Sequence, residues 1–190
     1  MNEWSRLKLL TAATVLPVSL EEARRHCRVD FTDDDLSIQT YLEAAIATIE
    51  GPHGIGVALS PQTWRLSMDY FPCQIVIPLG PVSEISSITY VDDAGAAAEV
   101  DEWRTDLDTE PVRIWPARDK TWPAITCEPG AVKVEFITGY ESTPADLRAA
   151  VLLLTAHLYE NREAVTEKAM TELPMAVDSI LNRYRVGRVA

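Results

Sequence analysis

Apolar residues recur at the spacing of an α-helix in two stretches of the chain, residues 19–51 and residues 143–185. The first stretch contains two capping patterns, which are the pairs Ser19 with Glu22 and Thr32 with Asp35. They predict a short helix to about Cys27, followed by a longer helix that Gly51 ends. The segment from His53 to Pro61 contains two glycines and is predicted to be a connector.

The second helical stretch begins at Thr143, the predicted cap, with Pro144 at the first helical position. Valine and leucine then occupy most of the circumference of this helix, and we expect it to form the buried centre of the fold. A polar link precedes a last helix, predicted to open at Pro174.

Between the helical stretches, residues 61–140 alternate between apolar and polar positions, the period of half-buried β-strands. The predicted strands cover residues 64–70, 75–77, 85–91, 112–115 and 132–136, and a turn at Asp92–Gly95 leads into a further run that ends at Val100. The pattern predicts an α+β fold in a single domain of 190 residues. N-terminal and C-terminal helices form a helical bundle, and residues 61–140 are a β-rich insertion.

Composition is that of a globular protein, with 47% hydrophobic and 24% charged residues. The chain has 29 acidic and 17 basic residues, a net charge of −12, which argues against a protein that grips nucleic-acid backbones over its whole surface. An apolar run after Arg6 and Lys8 weakly resembles a signal peptide, but Pro17 leads into a capped helix, so we expect no cleavage. No run reaches the roughly 18 to 20 apolar residues of a membrane span, and we expect no membrane partner.

Negative charge is concentrated in the middle of the chain and positive charge at its C-terminal end. Residues 84–110 hold nine acids and one base, Arg104. The acids are Glu84, Asp92, Asp93, Glu99, Asp101, Glu102, Asp106, Asp108 and Glu110. The C-terminal segment is basic, because Arg183, Arg185 and Arg188 have no acid after them. An acidic run is ordinarily a solvated face, but an acidic middle and a basic end can also pair between copies or serve two partners.

No motif in the sequence indicates catalysis or metal binding. The three cysteines, Cys27, Cys73 and Cys127, form no C-x-x-C pair, and we expect free thiols in a reducing compartment. The acids of residues 101–110 lack the spacing and the glycine of a calcium loop. Neither a nucleophile elbow nor a phosphate-binding glycine loop occurs, so we expect no metal and no cofactor.

Six blocks of sequence follow one another in order from about Leu7 to Arg185. They are LKLLTAATVLPVSLEEARRHCRVD, QTWRLSMDYFP, IPLGPVSEISSITYVDDAG, GAVKVEFITGY, PADLRAAVLLLTAHLYENREA and LPMAVDSILNRYR. In their order and spacing they resemble the head–tail connector (adaptor) proteins of long-tailed phages and gene transfer agents, in the branch with a β-rich insertion.

This resemblance implies a structural protein and not an enzyme. It implies a ring of twelve subunits in the virion neck, made in the bacterial host cytoplasm, below the portal protein and above the tail-proximal stopper or head-completion protein. DNA would pass through the ring without specific binding. The implied portal-docking residues are Arg183, Tyr184, Arg185, Val186 and Arg188. We expect the acidic surface, which faces the channel or a neighbouring subunit, to consist of Asp92, Asp93, Glu99, Asp101, Glu102, Asp106 and Asp108.

Two alternatives rest on other residues. The β-rich insertion contains Trp103, Trp115 and Trp122, and such aromatic side chains would suit a ligand- or glycan-binding module of a virion protein. A small enzyme would use His157 and Glu160, which are neighbours on one predicted helix.

Overall fold

The structure is a computed structural model that describes residues 6–126, 128–161 and 175–186. These residues form an α+β fold with four helices and two antiparallel sheets. The helices are α1 (Leu20–Cys27), α2 (Asp35–Ile49), α3 (Ala145–Glu160) and α4 (Met175–Leu181). The strands are β1 (Leu7–Thr11), β2 (Gln62–Met68), β3 (Ile75–Ile77), β4 (Val82–Val91), β5 (Ala97–Glu99), β6 (Trp103–Asp106), β7 (Val112–Pro116) and β8 (Val132–Thr138).

The fold divides into two compact units. The helical unit is built from Val15–Ser60 and Tyr140–Arg185, and the β unit from the chain up to Thr14, Pro61–Gly139 and the chain from Val186 onward. The chain therefore leaves the β unit after β1 and returns to it at β2.

In the helical unit, α3 contacts each of the other three helices, and α1 also contacts α2. The predicted capping box of α1 is present, since the Ser19 hydroxyl accepts from the backbone N–H of Glu22 and the Glu22 carboxylate accepts from the backbone N–H of Ser19. The same carboxylate forms an ion pair with Arg148 of α3. One acidic side chain thus caps α1 and joins it to α3.

Two predicted helix starts are wrong by a few residues. Helix α2 begins at Asp35 without a side-chain cap, because the carboxylate of Asp34 instead accepts a 2.5 Å hydrogen bond from the hydroxyl of Tyr159 on α3. Helix α3 begins at Ala145 and not at Pro144, and the Thr143 hydroxyl donates to the carbonyl of Leu59. At α3 a partner distant in sequence takes the hydroxyl that local spacing had assigned to the cap, and at α2 the cap position falls on Asp34 and not on the predicted Thr32.

Helix α3 is buried on one face and not around most of its circumference as predicted. The buried residues are Leu147, Ala150, Val151, Leu154 and Thr155. Leu153 points away from them and is 37% exposed. Periodicity alone did not distinguish these positions because both faces of the helix are apolar.

In the β unit, the five-stranded sheet has the order β1-β2-β8-β4-β5, and the three-stranded sheet has the order β3-β7-β6. The predicted alternation is present: β8 buries Val132, Val134 and Phe136 and turns Lys133 to solvent. The buried residues of both sheets join in one apolar cluster around Phe136. Strands β1 and β6 were not predicted, and each lies at the edge of its sheet.

Candidate partner-binding surfaces

The C-terminal segment folds back onto the start of α3 through Asp146. The Tyr184 hydroxyl donates a 2.6 Å hydrogen bond to Oδ1 of Asp146, and Nη2 of Arg183 lies 3.0 Å from Oδ2 of the same carboxylate. Asp146 is in the first turn of its helix, where the helix dipole also favours a negative charge. We call these three residues, Asp146, Arg183 and Tyr184, the C-terminal clamp.

Electrostatics in the clamp follow from these contacts. The hydrogen bond from Tyr184, helped by the Arg183 charge, holds the pKa of the Asp146 carboxyl below its usual range. The same hydrogen bond raises the pKa of the Tyr184 hydroxyl, because the proton it donates is held by a carboxylate. Both residues therefore keep the protonation states that the clamp needs at neutral pH.

The remaining residues of the predicted portal-docking set are less tightly held. Nη2 of Arg185 is 3.9 Å from Oδ1 of Asp178 on α4, and both side chains are 49% exposed. Val186 is half-buried, and Arg188 lies outside the described residues. The structure thus brings Arg183 and Tyr184 together on Asp146, a contact that local spacing does not predict because the partners are 37 and 38 positions apart.

The predicted acidic surface is spread along the edges of the two sheets of the β unit. Asp92 and Asp93 lie in the turn between β4 and β5, Glu99 ends the edge strand β5, and Asp106 ends the edge strand β6. Charged side chains on edge strands oppose pairing between two edges of like charge, which gives this surface a structural role whatever its partners are.

Two acids of this surface accept hydrogen bonds from nearby backbone N–H groups. Oδ1 of Asp92 accepts hydrogen bonds from the backbone N–H groups of Ala94 and Ala96, at 2.9 and 2.8 Å, and so fixes the hairpin turn. Oδ1 of Asp106 accepts from the backbone N–H of Asp108 at 3.1 Å.

Three of the acids gather at one small cavity. Glu99, Asp101 and Glu102 line a space of 170 Å³ with Lys120 and Trp122. The Glu102 carboxylate accepts a 2.8 Å hydrogen bond from the Lys120 ammonium, which lowers the pKa of Glu102. Lys120 thus pairs directly with one of these three acids, Glu102.

The three tryptophans of the ligand-binding alternative contribute to packing. Trp103 and Trp122 pack against the apolar cluster of the β unit, and Trp115 is half-buried on β7. The Trp122 ring stacks on Phe71 with their centroids 4.9 Å apart, so the protein itself covers that face of the indole.

His157 and Glu160 line a cavity of 460 Å³ in the helical unit together with Cys27. Burial raises the pKa of the Cys27 thiol, and the negative charge of Glu160 adds to the effect, so the thiol is less reactive than a free cysteine. Within the residues that the structure describes, no group of three or more His, Cys, Asp or Glu side chains is placed to hold a metal ion. None of the described helices has both the length and the apolar composition needed to cross a membrane.

The sequence profile of the phage gp6-like head-tail connector protein family matches residues 17–81 and 129–185, which together make up more than half of the chain. The protein belongs to this connector family. The two matched ranges contain the four described helices and the strands β2, β3 and β8, while every residue of the acidic surface lies in the unmatched part between them.

Solved structures give a match over nearly the whole length of this connector. It is 28% identical, over 97% of both chains, to chains in the neck of an empty gene transfer agent (GTA) particle computed with C6 symmetry and in the virion of a native GTA particle, each with a TM-score of 0.79. A chain in the neck of the native GTA particle computed with C12 symmetry aligns with a TM-score of 0.76. None of the curated proteins compared with the chain matches it.

The connector is accordingly a structural component that joins phage head and tail, and it is not an enzyme. Its β-rich part belongs to the same architecture as its helices, because the aligned GTA chains cover both.

Proposed function

We propose that the protein is a head–tail adaptor that forms a ring of twelve copies in the neck of a tailed phage or phage-like particle. The ring lies below the portal and above the tail stopper, and DNA passes through it. The observation that carries the proposal is the match over 97% of both chains to a chain in a GTA neck computed with C12 symmetry. A twelve-fold ring requires two different surfaces on each copy, because only head-to-tail contacts close such a ring.

The charge of the protein supports a conduit that does not hold DNA. The net charge is −12, and the nine acids of residues 84–110 lie mainly in exposed turns and edge strands. Like charge opposes the adhesion of phosphate groups, whereas a basic lining would bind the DNA backbone, release its counterions and slow its passage. Acids that face a neighbouring copy would instead supply one half of a charged contact.

The C-terminal segment is the proposed portal-docking element. Its three arginines, Arg183, Arg185 and Arg188, are a local excess of positive charge in an acidic protein. Arg183 is 63% exposed in its ion pair with Asp146, so its guanidinium remains open to a second, acidic partner. Arginine suits this role since its planar group can bind two carboxylates at once.

The proposal is tested by mixing the purified protein with the portal of the same particle and recording native mass spectra and negative-stain images. We expect complexes with twelve adaptor copies per portal, while the protein alone is free to remain monomeric. A protein that stays monomeric and unbound with portal, over a range of salt and protein concentrations, would overturn the proposal.

A further inference from the structure

The outward face of the five-stranded sheet carries a row of charges that ends in opposite signs at its two edges. Cross-strand register places Lys8 of β1 opposite Arg65 of β2, and Arg65 opposite Glu135 of β8. Two residues along β8, Lys133 lies opposite Thr89 of β4, which lies opposite Glu99 of β5. These side chains share one face, because directly opposed residues in antiparallel strands point to the same side.

Inside this row Arg65 and Glu135 are already paired with each other, and the charges at its two ends are open. Nη2 of Arg65 is 2.7 Å from Oε1 of Glu135, an ion pair between the two central strands. Lys8 and Glu99 are both exposed, and no ion pair engages either of them within the described parts of the chain. One edge of the sheet therefore presents a free cation and the other a free anion.

Both edges also have free backbone groups. Strands β1 and β5 are the two ends of the sheet order, and no described strand pairs with the outer side of either. Strand β1 exposes two leucines, Leu9 and Leu10, at 40% and 36% of their surface. Strand β5 offers the small side chains of Ala97 and Ala98 beside its acid. An exposed apolar edge strand is a site for pairing with another chain, and natural proteins usually cover it.

We propose that β1 of one copy pairs with β5 of the next copy, so that Lys8 meets the neighbour's acidic edge at Glu99 and the sheet continues from subunit to subunit. The contact rests on the proposed ring, since it joins two different surfaces and is therefore head-to-tail. The complementary charges select this pairing over contacts between two β1 edges or two β5 edges, in which like charges would face each other.

Strand direction gives the pairing a definite sense. Each neighbouring pair in the sheet is antiparallel, so four reversals leave β1 and β5 pointing the same way. Adjacent strands are also twisted by roughly 20–25°, and over the four pairs of this sheet the twist accumulates to roughly 80–100°. The pairing across the interface is therefore parallel in sense, and the contact between neighbouring copies takes up this accumulated twist.

Cysteine cross-linking on the assembled ring tests the contact. In a background with Cys27, Cys73 and Cys127 replaced by serine, Lys8→Cys and Glu99→Cys are combined in one chain, rings are assembled on portal, and a mild oxidant is added. Opposed strand positions are close enough for a disulfide to form. We expect a ladder of covalent multimers up to the ring number, and no ladder from the matched pair Lys133→Cys with Glu99→Cys, since Lys133 is exposed on the central strand β8.

Single-cysteine variants distinguish the proposed β1–β5 contact from a symmetric β1–β1 contact. A mixture of the single Lys8→Cys and Glu99→Cys chains should give only cross-linked dimers that contain one of each. Dimers from Lys8→Cys alone would show a symmetric β1–β1 contact and overturn the proposal, as would rings without any cross-link from the double variant.

Charge reversal tests the same contact in the native cysteine background. We expect Lys8→Glu to reduce ring assembly on portal at least tenfold, and Glu99→Lys in the same chain to restore it. Lys133→Glu, with the same change of net charge on the same face, should stay within twofold of the unaltered protein. Equal effects of Lys8→Glu and Lys133→Glu would overturn the contact. If the unaltered protein forms no ring on portal, the proposed function itself fails.

Discussion

The hydroxyl of Tyr184 donates a 2.6 Å hydrogen bond to the carboxylate of Asp146, and this contact ties the end of the helical unit to the start of α3. Arg183 binds the other oxygen of the same carboxylate. The residues proposed to dock on the portal therefore begin at a fixed point of the fold. A tail anchored in this way loses less conformational entropy on binding than a free one.

The clamp predicts how readily the C-terminal segment is cleaved. Replacing Tyr184 by Phe removes the hydrogen bond to Asp146 and keeps the aromatic side chain, so the C-terminal segment should open more often. We expect trypsin to cut after Arg183 several-fold faster, since cleavage of a locally opened segment follows the population of the open form. The measurement is the rate of loss of the C-terminal peptide by mass spectrometry.

Tyr70→Phe is the matched control for this experiment, because Tyr70 is 60% exposed in the β unit. It should leave the cleavage rate unchanged. Cleavage at the same rate in Tyr184→Phe and the unaltered protein would mean that the clamp does not hold the segment.

We expect charge reversal in the basic C-terminal segment to weaken portal docking without weakening the fold. The double variant Arg185→Glu with Arg188→Glu reverses two charges in the proposed portal-docking set, so we expect portal binding to fall at least tenfold while the melting temperature changes little. Arg185 is 49% exposed, and its only described ion pair is a 3.9 Å contact, which contributes little to stability. Binding is measured by sedimentation with portal and stability by thermal unfolding.

A matched control with the same change of net charge is Arg25→Glu with Arg118→Glu, since both arginines are exposed elsewhere on the protein. It should bind portal normally. Equal losses of melting temperature and docking in the tail variant would contradict the assignment of these residues to the portal contact.

Much of the fold follows from local sequence, and two of the exceptions share one physical cause. The capping box at Ser19 and the alternation of β8 were predicted correctly, because each depends on residues close together in the chain. Thr143 was wrongly assigned as a cap, because its hydroxyl bonds to Leu59, 84 positions away. The clamp at Asp146 was missed for the same reason, and no local spacing reports such contacts.

The two edge strands were missed for a different reason. Strand β6 lies within the acidic run, and its exposed residues have too little apolar alternation to predict a strand. Strand β1 has four exposed residues of five, and its leucines fit neither a buried strand nor a helix. Edge strands are specified by the neighbour that they pair with, and that information is distant in sequence.

The carboxyl of Asp69 predicts acid sensitivity in the β unit. Two 2.6 Å hydrogen bonds from Arg6, together with one from the backbone of Gly130, lower the pKa of Asp69 from its ordinary 3.8 to about 2. A carboxyl with a depressed pKa contributes stability above its unfolded value, and that contribution is lost as the pH falls through the folded value. The stability gap between the unaltered protein and Asp69→Asn should therefore be constant near neutral pH and close between pH 3.8 and about 2.

Urea unfolding followed by tryptophan fluorescence measures this gap, because the four described tryptophans lie in the β unit. Asp93→Asn, at an exposed turn carboxyl, is the control and should show no gap at neutral pH. A gap for Asp69→Asn that persists at pH 2 would show that charge on Asp69 is not its source.

We expect alanine to destabilise the protein to different degrees at the two glycines Gly51 and Gly54 that follow α2. A Cβ on Gly54 would lie 2.0 Å from the backbone carbonyl oxygen of Ile49, so the end of α2 must move to accommodate it. Gly51 has φ of +76° and nothing within 4 Å of the added atom, so alanine there costs only backbone strain, about 1 kcal/mol. We expect Gly54→Ala to lower the free energy of unfolding at least twice as much as Gly51→Ala, measured by urea unfolding with helical circular dichroism. Equal losses, or a larger loss for Gly51→Ala, would show that the connector adapts freely.

The central claim is that this connector forms a closed ring on the portal, and single-particle electron cryomicroscopy of the portal–adaptor complex, reconstructed without imposed symmetry, tests it most directly. The account predicts twelve adaptor copies in a closed ring, with residues 183–188 of each copy against the portal. A complex with isolated adaptor copies, or a ring whose C-terminal segments point away from the portal, would contradict it.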